Sequence, residues 1–417
     1  MVAPVALTLA AIEASAARIA GKVDISPLAE SSSLSELTGT RLCLKLENLQ
    51  RTGSFKERGA ANLLEQASVE ERARGVITAS AGNHAQAVAL HAGRLGIRAT
   101  VVMPETTPLV KIQSTRRFGA KVELYGRAYD EAAQRAAELA AQENLAYVHP
   151  FDDARVMAGQ GTLGLELLVQ CPDLEAVVVP VGGGGLIAGV ACAIKERRPD
   201  VRVYGVEARA FPSMKWAIES EAPPTLPGGK TIAEGIAVRR VGALTLPVVA
   251  RYVDELVLVD EEEIAEAILL LLEQEKTVAE GAGAVGLAAL MHERLPVQGK
   301  RVAVVLSGGN IDVNLMARII DRGLVKTGRL ARFELSVPDE AGTLARIAQA
   351  VAVTRANILE INHDRTFSGG ELGETTIELV LETFGFDHVD QVRASLSSAG
   401  YRVRVSRPTC DTPSFRP

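Results

Sequence analysis

The sequence is poor in aromatic residues, with one Trp, six Tyr and nine Phe in 417 positions. That scarcity argues against the stacking platforms that hold single-stranded nucleic acids. There is no excess of positive charge either. Lys and Arg number 45 against 51 Asp and Glu, with the signs interspersed, so no basic footprint for nucleic acid is present. Cysteine is scarce: Cys43, Cys171, Cys192 and Cys410 lie far apart without a C-x-x-C pair. A disulfide framework or zinc knuckle is therefore not expected, and a reducing, cytoplasmic compartment suits the chain. One long uncharged run covers 176–194, but Pro180 and four consecutive glycines interrupt it. Lipid would leave that loop's backbone groups unpaired, so the run reads as a buried strand, a loop and a buried helix, with no membrane partner. The first residues lack a positive leading stretch and include Glu13 and Arg18, so they read as an amphipathic helix and not as a signal peptide.

What is present is small and apolar. Hydrophobic residues make up 47% of a chain long enough for two or three domains of about 100–200 residues each. From about residue 40 to 320, strand-like runs (RLCLKLE, GVITAS, ATVVMP, KVELYG, AVVVPV, VRVYGVE, ELVLV, RVAVVLS) alternate with helical stretches such as 56–66, 83–95, 128–143 and 264–275. Such alternation predicts an α/β fold around mainly parallel strands, and the number of strands predicts more than one sheet. Near residue 324 the pattern changes to strand, helix, strand, strand, helix, strand over 331–406, the βαββαβ order of a ferredoxin-like sandwich. Asp339 is expected to cap its first helix, SGGELG to form a hairpin loop, and 408–417 to be a frayed tail. The expected division is a catalytic domain over 1–322, with a small subdomain at about 55–150, a linker over 323–330 and a second domain over 331–407.

Four small-residue loops follow strands, where α/β sheets bind ligands. In the first, strand AVVVPV runs into Gly182, Gly183, Gly184 and Gly185 and then into a helix. Glycine amides at a helix start cradle a phosphate. Gly183, Gly185 and Ala188 also satisfy the dinucleotide pattern G-x-G-x-x-A, with Glu207 about where a ribose acid belongs, and a plain packing turn is a third reading. In the second, Lys56 opens a helix after the polar turn ENLQRTG. The dipole disfavours a cation there, which lowers an amine's pKa as a Schiff-base lysine requires; a solvated first-turn lysine is the bland alternative. The third, Ser80-Ala81-Gly82-Asn83-His84, is an anion nest suited to a carboxylate, unless Ser80 is simply an N-cap. The fourth, Ser307-Gly308-Gly309-Asn310, offers a hydroxyl or merely turns. No histidine has partners at metal-ligand spacing.

Six motifs in order, SFKERGA, ITASAGNHAQAVA, HPFDD, VGGGGLIAG, TIAEGIAV and VVLSGGNID, resemble the fold-type II pyridoxal-phosphate enzymes, and within them the threonine dehydratases. The fold this implies is a two-subdomain, tryptophan-synthase-β-like catalytic part. Residues 330–406 look like an ACT domain, a module that binds amino-acid effectors. The resemblance implies that Lys56 is joined to the cofactor and that 182–185 with Leu186 hold its phosphate. It further implies that Asn83 bonds the ring hydroxyl, Phe55 packs beside the ring and Ser307 meets the pyridine nitrogen. Ser80, Gly82, Asn83 and His84 would receive the substrate carboxylate. L-Threonine and L-serine are the implied substrates, isoleucine or valine the implied effectors, and a homodimer or homotetramer the implied assembly. The sister activities of serine racemase and hydroxyaspartate ammonia-lyase use the same loops. TIAEGIAV carries Glu234 where many relatives have aspartate. A cation site of some relatives is matched by Glu207 but meets Ser213 at its second position, so the metal stays an open question.

Overall fold

Among the described residues up to Leu306, ten strands sort into two sheets, and both leave their strand ends facing the loops singled out above. The computed structural model describes residues 7–220, 225–365 and 373–406. The hairpin loop expected at SGGELG (all but Gly373), the tail over 408–417 and Cys410 lie outside the described residues. The chain divides into two units, Met1–Ile311 and Asp312–Pro417.

In the first unit, a six-stranded sheet has the order Leu28–Glu30, Arg41–Leu46, Arg301–Leu306, Ala176–Pro180, Arg202–Ala208, Glu255–Val259. Only its edge strand Leu28–Glu30 runs antiparallel. A second, wholly parallel sheet has the order Lys121–Leu124, Ala99–Met103, Val76–Ala79, Ala146–Tyr147. All five residues of Ala176–Pro180 are buried, as befits a β-branched strand covered on both faces. The uncharged run 176–194 thus resolves into that strand, the glycine loop and helix Gly185–Arg197. No helix among the described residues is long and apolar enough to cross a membrane.

One buried helix, Ala154–Gln170, sets the spacing of the others. A Cβ on its Gly159 would come within 2.5 Å of the Arg58 carbonyl oxygen, so helix Lys56–Glu65 lies directly against it. On its other side a Cβ on Gly189 would come within 2.4 Å of the Met157 carbonyl oxygen. The helix that starts with Lys56 and the helix that follows the glycine loop therefore rest on one shared support, their separation fixed by missing side chains. Helix Gly281–Met291 is buried at every position; with no polar face it has no helical period to read.

The second unit opens with helix Val313–Lys326 and continues through Leu330–Pro338, Thr343–Ala352, Asn357–Asp364, Glu374–Glu382, Phe386–Ser398 and Arg402–Ser406. The strands form an antiparallel sheet in the order second, third, first, fourth, the ferredoxin-like arrangement. Ala331, Phe333, Leu335 and Val337 alternate inward against Ile347, Val351, Val392 and Leu396. Two expectations change here. The stretch expected as a linker, 323–330, consists of the last turn of a helix, a turn at Gly328 and the start of a strand. Asp339 does not cap the first helix: a turn follows the strand, Gly342 takes the cap position, and Asp339 pairs with Arg365 at 3.1 Å.

Candidate active site

Lys56 stands where strand Arg41–Leu46, a short turn Glu47–Leu49 and a loop give way to helix Lys56–Glu65. That loop is stitched to the fourth small-residue loop. The Phe55 N–H donates to the Ser307 carbonyl at 3.0 Å, and the Gly309 N–H donates to the Gly53 carbonyl at 2.9 Å. Behind Lys56 the helix is anchored by charge. The Arg58 guanidinium, 1% exposed, donates to both oxygens of Glu47 at 2.7 and 2.8 Å and to both of Glu166 at 2.6 and 2.8 Å. Glu166 also accepts from Lys45 at 2.7 Å. Burial alone would push the Glu47 carboxyl up, but Arg58 and the Ser26 hydroxyl hold it below its ordinary value.

The Lys56 ammonium donates to the Pro150 carbonyl at 2.8 Å and lies 5.1 Å from the centre of the Phe55 ring. Desolvation pushes its pKa down to about 8, against the opposing pull of the Glu280 carboxylate. Lys56, Phe55, Asn83, the four glycines, Leu186, Ser307 and Glu280 line one pocket.

The four glycines are required by what surrounds them. A Cβ on Gly183 would strike the Phe151 ring at 2.5 Å, and one on Gly182 the Ile236 backbone at 2.9 Å. Gly184 has φ +94°, a conformation that L side chains disfavour, and its Cβ would meet Met214 at 2.5 Å. The Gly183 carbonyl accepts from the Thr245 hydroxyl at 2.7 Å, turning that peptide away from the pocket. Among the described residues no acceptor takes the N–H groups of Gly182, Gly183 or Gly184. The first turn of helix Gly185–Arg197 adds its own unpaired donors. HPFDD closes this loop. Phe151 packs on the glycines, Asp152 accepts from the Ala243 and Leu244 N–H groups, and Asp153 caps helix Ala154–Gln170.

Asn83 faces the pocket, but its neighbours in the third loop do other work. The Ser80 hydroxyl accepts from the Gly82 N–H at 3.2 Å, and the helix cap is Gly82, not Ser80. The His84 ring is buried and bonds the Val148 carbonyl through Nε2 at 3.1 Å. Burial and then the Lys56 charge push its pKa down to about 3. Its side chain is a neutral tether to the neighbouring backbone, so only its N–H is left for an anion. Glu207 is likewise engaged: its carboxylate accepts from the Met214 and Lys215 N–H groups at 2.7 and 2.9 Å. Ser213 gives its hydroxyl to the Val238 carbonyl. Both already serve the local backbone, and among the described residues no group of three or more His, Cys, Asp or Glu is placed to hold a metal. Sequence reasoning missed Glu280, which accepts from the Asn83 amide at 2.7 Å. It is the N-cap residue of helix Gly281–Met291, whose first turn Gly281-Ala282-Gly283 is a fifth small-residue run that the other four should have brought to notice.

Pyridoxal phosphate, the group implied by the motifs, can be tested against these residues. It needs an amine that is neutral near physiological pH, a nest of amides for a dianion and a partner for the ring nitrogen. The pocket offers Lys56, the side-chain-free cradle at 182–185 and the Ser307 hydroxyl on its wall. The residues fit the group.

Comparison with known proteins agrees. A family model described as pyridoxal-phosphate dependent enzyme matches residues 19–308. L-Threonine ammonia-lyase of Thermotoga maritima is 50% identical over 399 residues, 96% of this chain and 99% of that one. Among solved structures, the processed form of threonine deaminase isoform 2 from Solanum lycopersicum superposes with a TM-score of 0.72 at 40% identity. That match covers 75% of this chain and 86% of the other. Maize serine racemase gives a TM-score of 0.72 at 32% identity, covering 76% and 98%.

Proposed function

The chain belongs to the pyridoxal-phosphate-dependent enzymes, and from that premise we propose that it eliminates water from L-threonine to leave an enamine, whose tautomer takes up water again and releases ammonia, so that the net products are 2-oxobutanoate and ammonia; L-serine gives pyruvate and ammonia by the same route. The carrying observation is the Lys56 amine, desolvated in the pocket that the glycine cradle lines, together with the near full-length likeness to a threonine ammonia-lyase. The nicotinamide reading of 183–188 falls with the family.

Bound pyridoxal phosphate supplies an electron sink that makes the α-proton of an amino acid removable. Gly182, Gly183, Gly184, Gly185 and Leu186 would hold its phosphate, Lys56 its aldehyde carbon, Ser307 its ring nitrogen and Asn83 its hydroxyl, with Phe55 beside the ring. A neutral hydroxyl, unlike an aspartate, does not favour a protonated ring, which suits elimination over chemistry that needs a long-lived carbanion. Once displaced by substrate, Lys56 takes the α-proton at Nζ; a pKa near 8 leaves a useful share of the amine neutral. The Ser80 hydroxyl hydrogen, Asn83 and the His84 N–H would receive the substrate carboxylate, with Gly82 shaping the turn and holding the Ser80 oxygen, and orient the α-carbon toward that nitrogen. Phe151, packed on the glycines, helps keep water from the phosphate end.

The second unit is read as an ACT domain through which isoleucine or valine shifts activity, in a cytoplasmic homodimer or homotetramer. An effector there acts only by preferring one arrangement of the chain over another. A second reading, serine racemase, is favoured by the likeness to the maize enzyme. One assay decides. Keto-acid formation from L-threonine, L-serine and D-serine is followed with and without isoleucine, in wild type and Lys56→Ala. Keto acid from L-threonine, inhibition by isoleucine and loss of at least ~10³-fold of turnover in the variant are expected. Inversion of serine without keto acid would identify a racemase, and full activity of Lys56→Ala would refute the lysine's role.

A further inference from the structure

We propose that Glu280 is a positioning residue of the pocket, whose carboxylate anchors the amide nitrogen of Asn83 and tunes the charge carried at Lys56 Nζ. The inference rests on the reading of this pocket as the cofactor site.

The side chain of Glu280 occupies the N-cap position of helix Gly281–Met291 yet makes no capping bond to it. It turns instead to the Asn83 amide, whose Nδ2 donates to Glu280 Oε1 at 2.7 Å. Asn83 Oδ1 accepts from Asn310 Nδ2 at 2.6 Å, and the same Asn310 nitrogen donates to the Thr52 carbonyl at 2.7 Å. The Thr52 carbonyl can only accept, so it fixes which end of Asn310 is nitrogen. That in turn fixes Asn83, whose nitrogen must face Glu280. The chain of bonds therefore runs from backbone to carboxylate with every polarity determined. One hydrogen of Asn83 Nδ2 is spent on Glu280, and the other is left for the pocket that Asn83 lines.

Space has been cleared for this carboxylate. A Cβ on Gly308 would come within 2.5 Å of Glu280 Oε1, and one on Gly235 within 3.1 Å. The Glu280 N–H is held by the Gly308 carbonyl at 3.0 Å, so two of the loops around the pocket are shaped to this one acid. Among the described residues lining the pocket, Glu280 is the only acidic one and Lys56 the only basic one.

The two feel each other. Burial pushes the Glu280 carboxyl up to about 7, over the opposing influence of the Asn83 amide, Lys111 and Lys56; the Glu234 carboxylate adds to the upward push. Lys111 is paired with Glu234 at 2.8 Å and so partly neutralised. In the other direction, ionised Glu280 raises the Lys56 value. A negative charge here favours a cation at Nζ, and its removal favours the neutral nitrogen.

The test uses full-length holoenzyme. Glu280→Gln keeps an acceptor for Asn83 but removes the charge, and Glu280→Ala removes both. The pH midpoint of the visible cofactor band is expected to fall by about half a unit or more in Glu280→Gln, with cofactor retained through dialysis as in wild type. Glu280→Ala is expected to lose cofactor about fivefold or more faster, because Asn83 is then held at its Oδ1 alone. A midpoint unmoved in Glu280→Gln overturns the proposal, as does wild-type retention in Glu280→Ala. Should Glu280→Ala be insoluble, the Glu280→Gln midpoint decides alone. A wild-type chain with no visible band would instead sink the cofactor-site reading beneath it.

Discussion

At the scale of single residues, the histidine beside Asn83 shows how a residue can sit in a functional motif and serve the fold. His84 is held neutral by burial, with a pKa near 3 against the usual 6.5. Because its folded value is depressed, the unfolded chain binds the proton first, and stability falls as pH drops through about 6.5 toward 3. His84→Leu should therefore lose about 1.4 kcal/mol less stability than wild type between about pH 7.5 and about pH 5.5, as read by denaturant melts at the two pH values. The Val148 carbonyl keeps a donor in the Thr78 hydroxyl at 2.8 Å, so the variant does not orphan it. Equal acid sensitivity in the two proteins would show that the imidazole is not the titrating group. The residue types at this site were legible: lysine at a helix start and glycines after a strand each state a local chemical need. The role of His84 was not, because burial depends on which distant backbone lies over the ring.

At the scale of elements, helix Ala154–Gln170 carries the geometry. It received no notice as a sequence feature beyond the HPFDD motif at its start, yet both site-bearing helices pack on it through Gly159 and Gly189. Its cap is Asp153, which accepts from the Arg155 N–H at 2.7 Å. Asp153→Ala should cost about 1 kcal/mol and lower the melting temperature by about 2–4 °C with little change in turnover per folded molecule. A drop in specific activity without a change in melting would mean that the carboxylate acts on the site directly. Most strands of the first unit's two sheets were readable because β-branched runs bounded by glycine and proline repeat at regular spacing. Ala146–Tyr147 and Leu28–Glu30 were not: two or three residues are too few to show a period. Helix Gly281–Met291, which carries Glu280 at its start, was hidden for the opposite reason, being apolar on all sides.

At the scale of the whole molecule, sequence alternation separated an α/β part from a βαββαβ part, and the structure contains both. The border lies earlier than expected, after Ile311, because helix Val313–Lys326 groups with the second unit. Helical periodicity locates a helix but says nothing about which body it joins. Within the first unit, the buried charges of Arg58, Glu47, Glu166 and Lys45 bind a strand, a turn and two helices into a single electrostatic knot. Taking out Arg58 alone leaves the fully buried Glu47 carboxylate without its cation, while Glu166 keeps Lys45, so Arg58→Met should cost about 3–5 kcal/mol, whereas replacing all four groups by apolar residues of similar volume should come close to neutral. Denaturant midpoints of the single and quadruple variants would measure both. The landscape of tolerated change around the lysine helix is thus a plateau reached only by a coordinated jump: each lone step leads into a ravine, and this segment should drift as an inherited block.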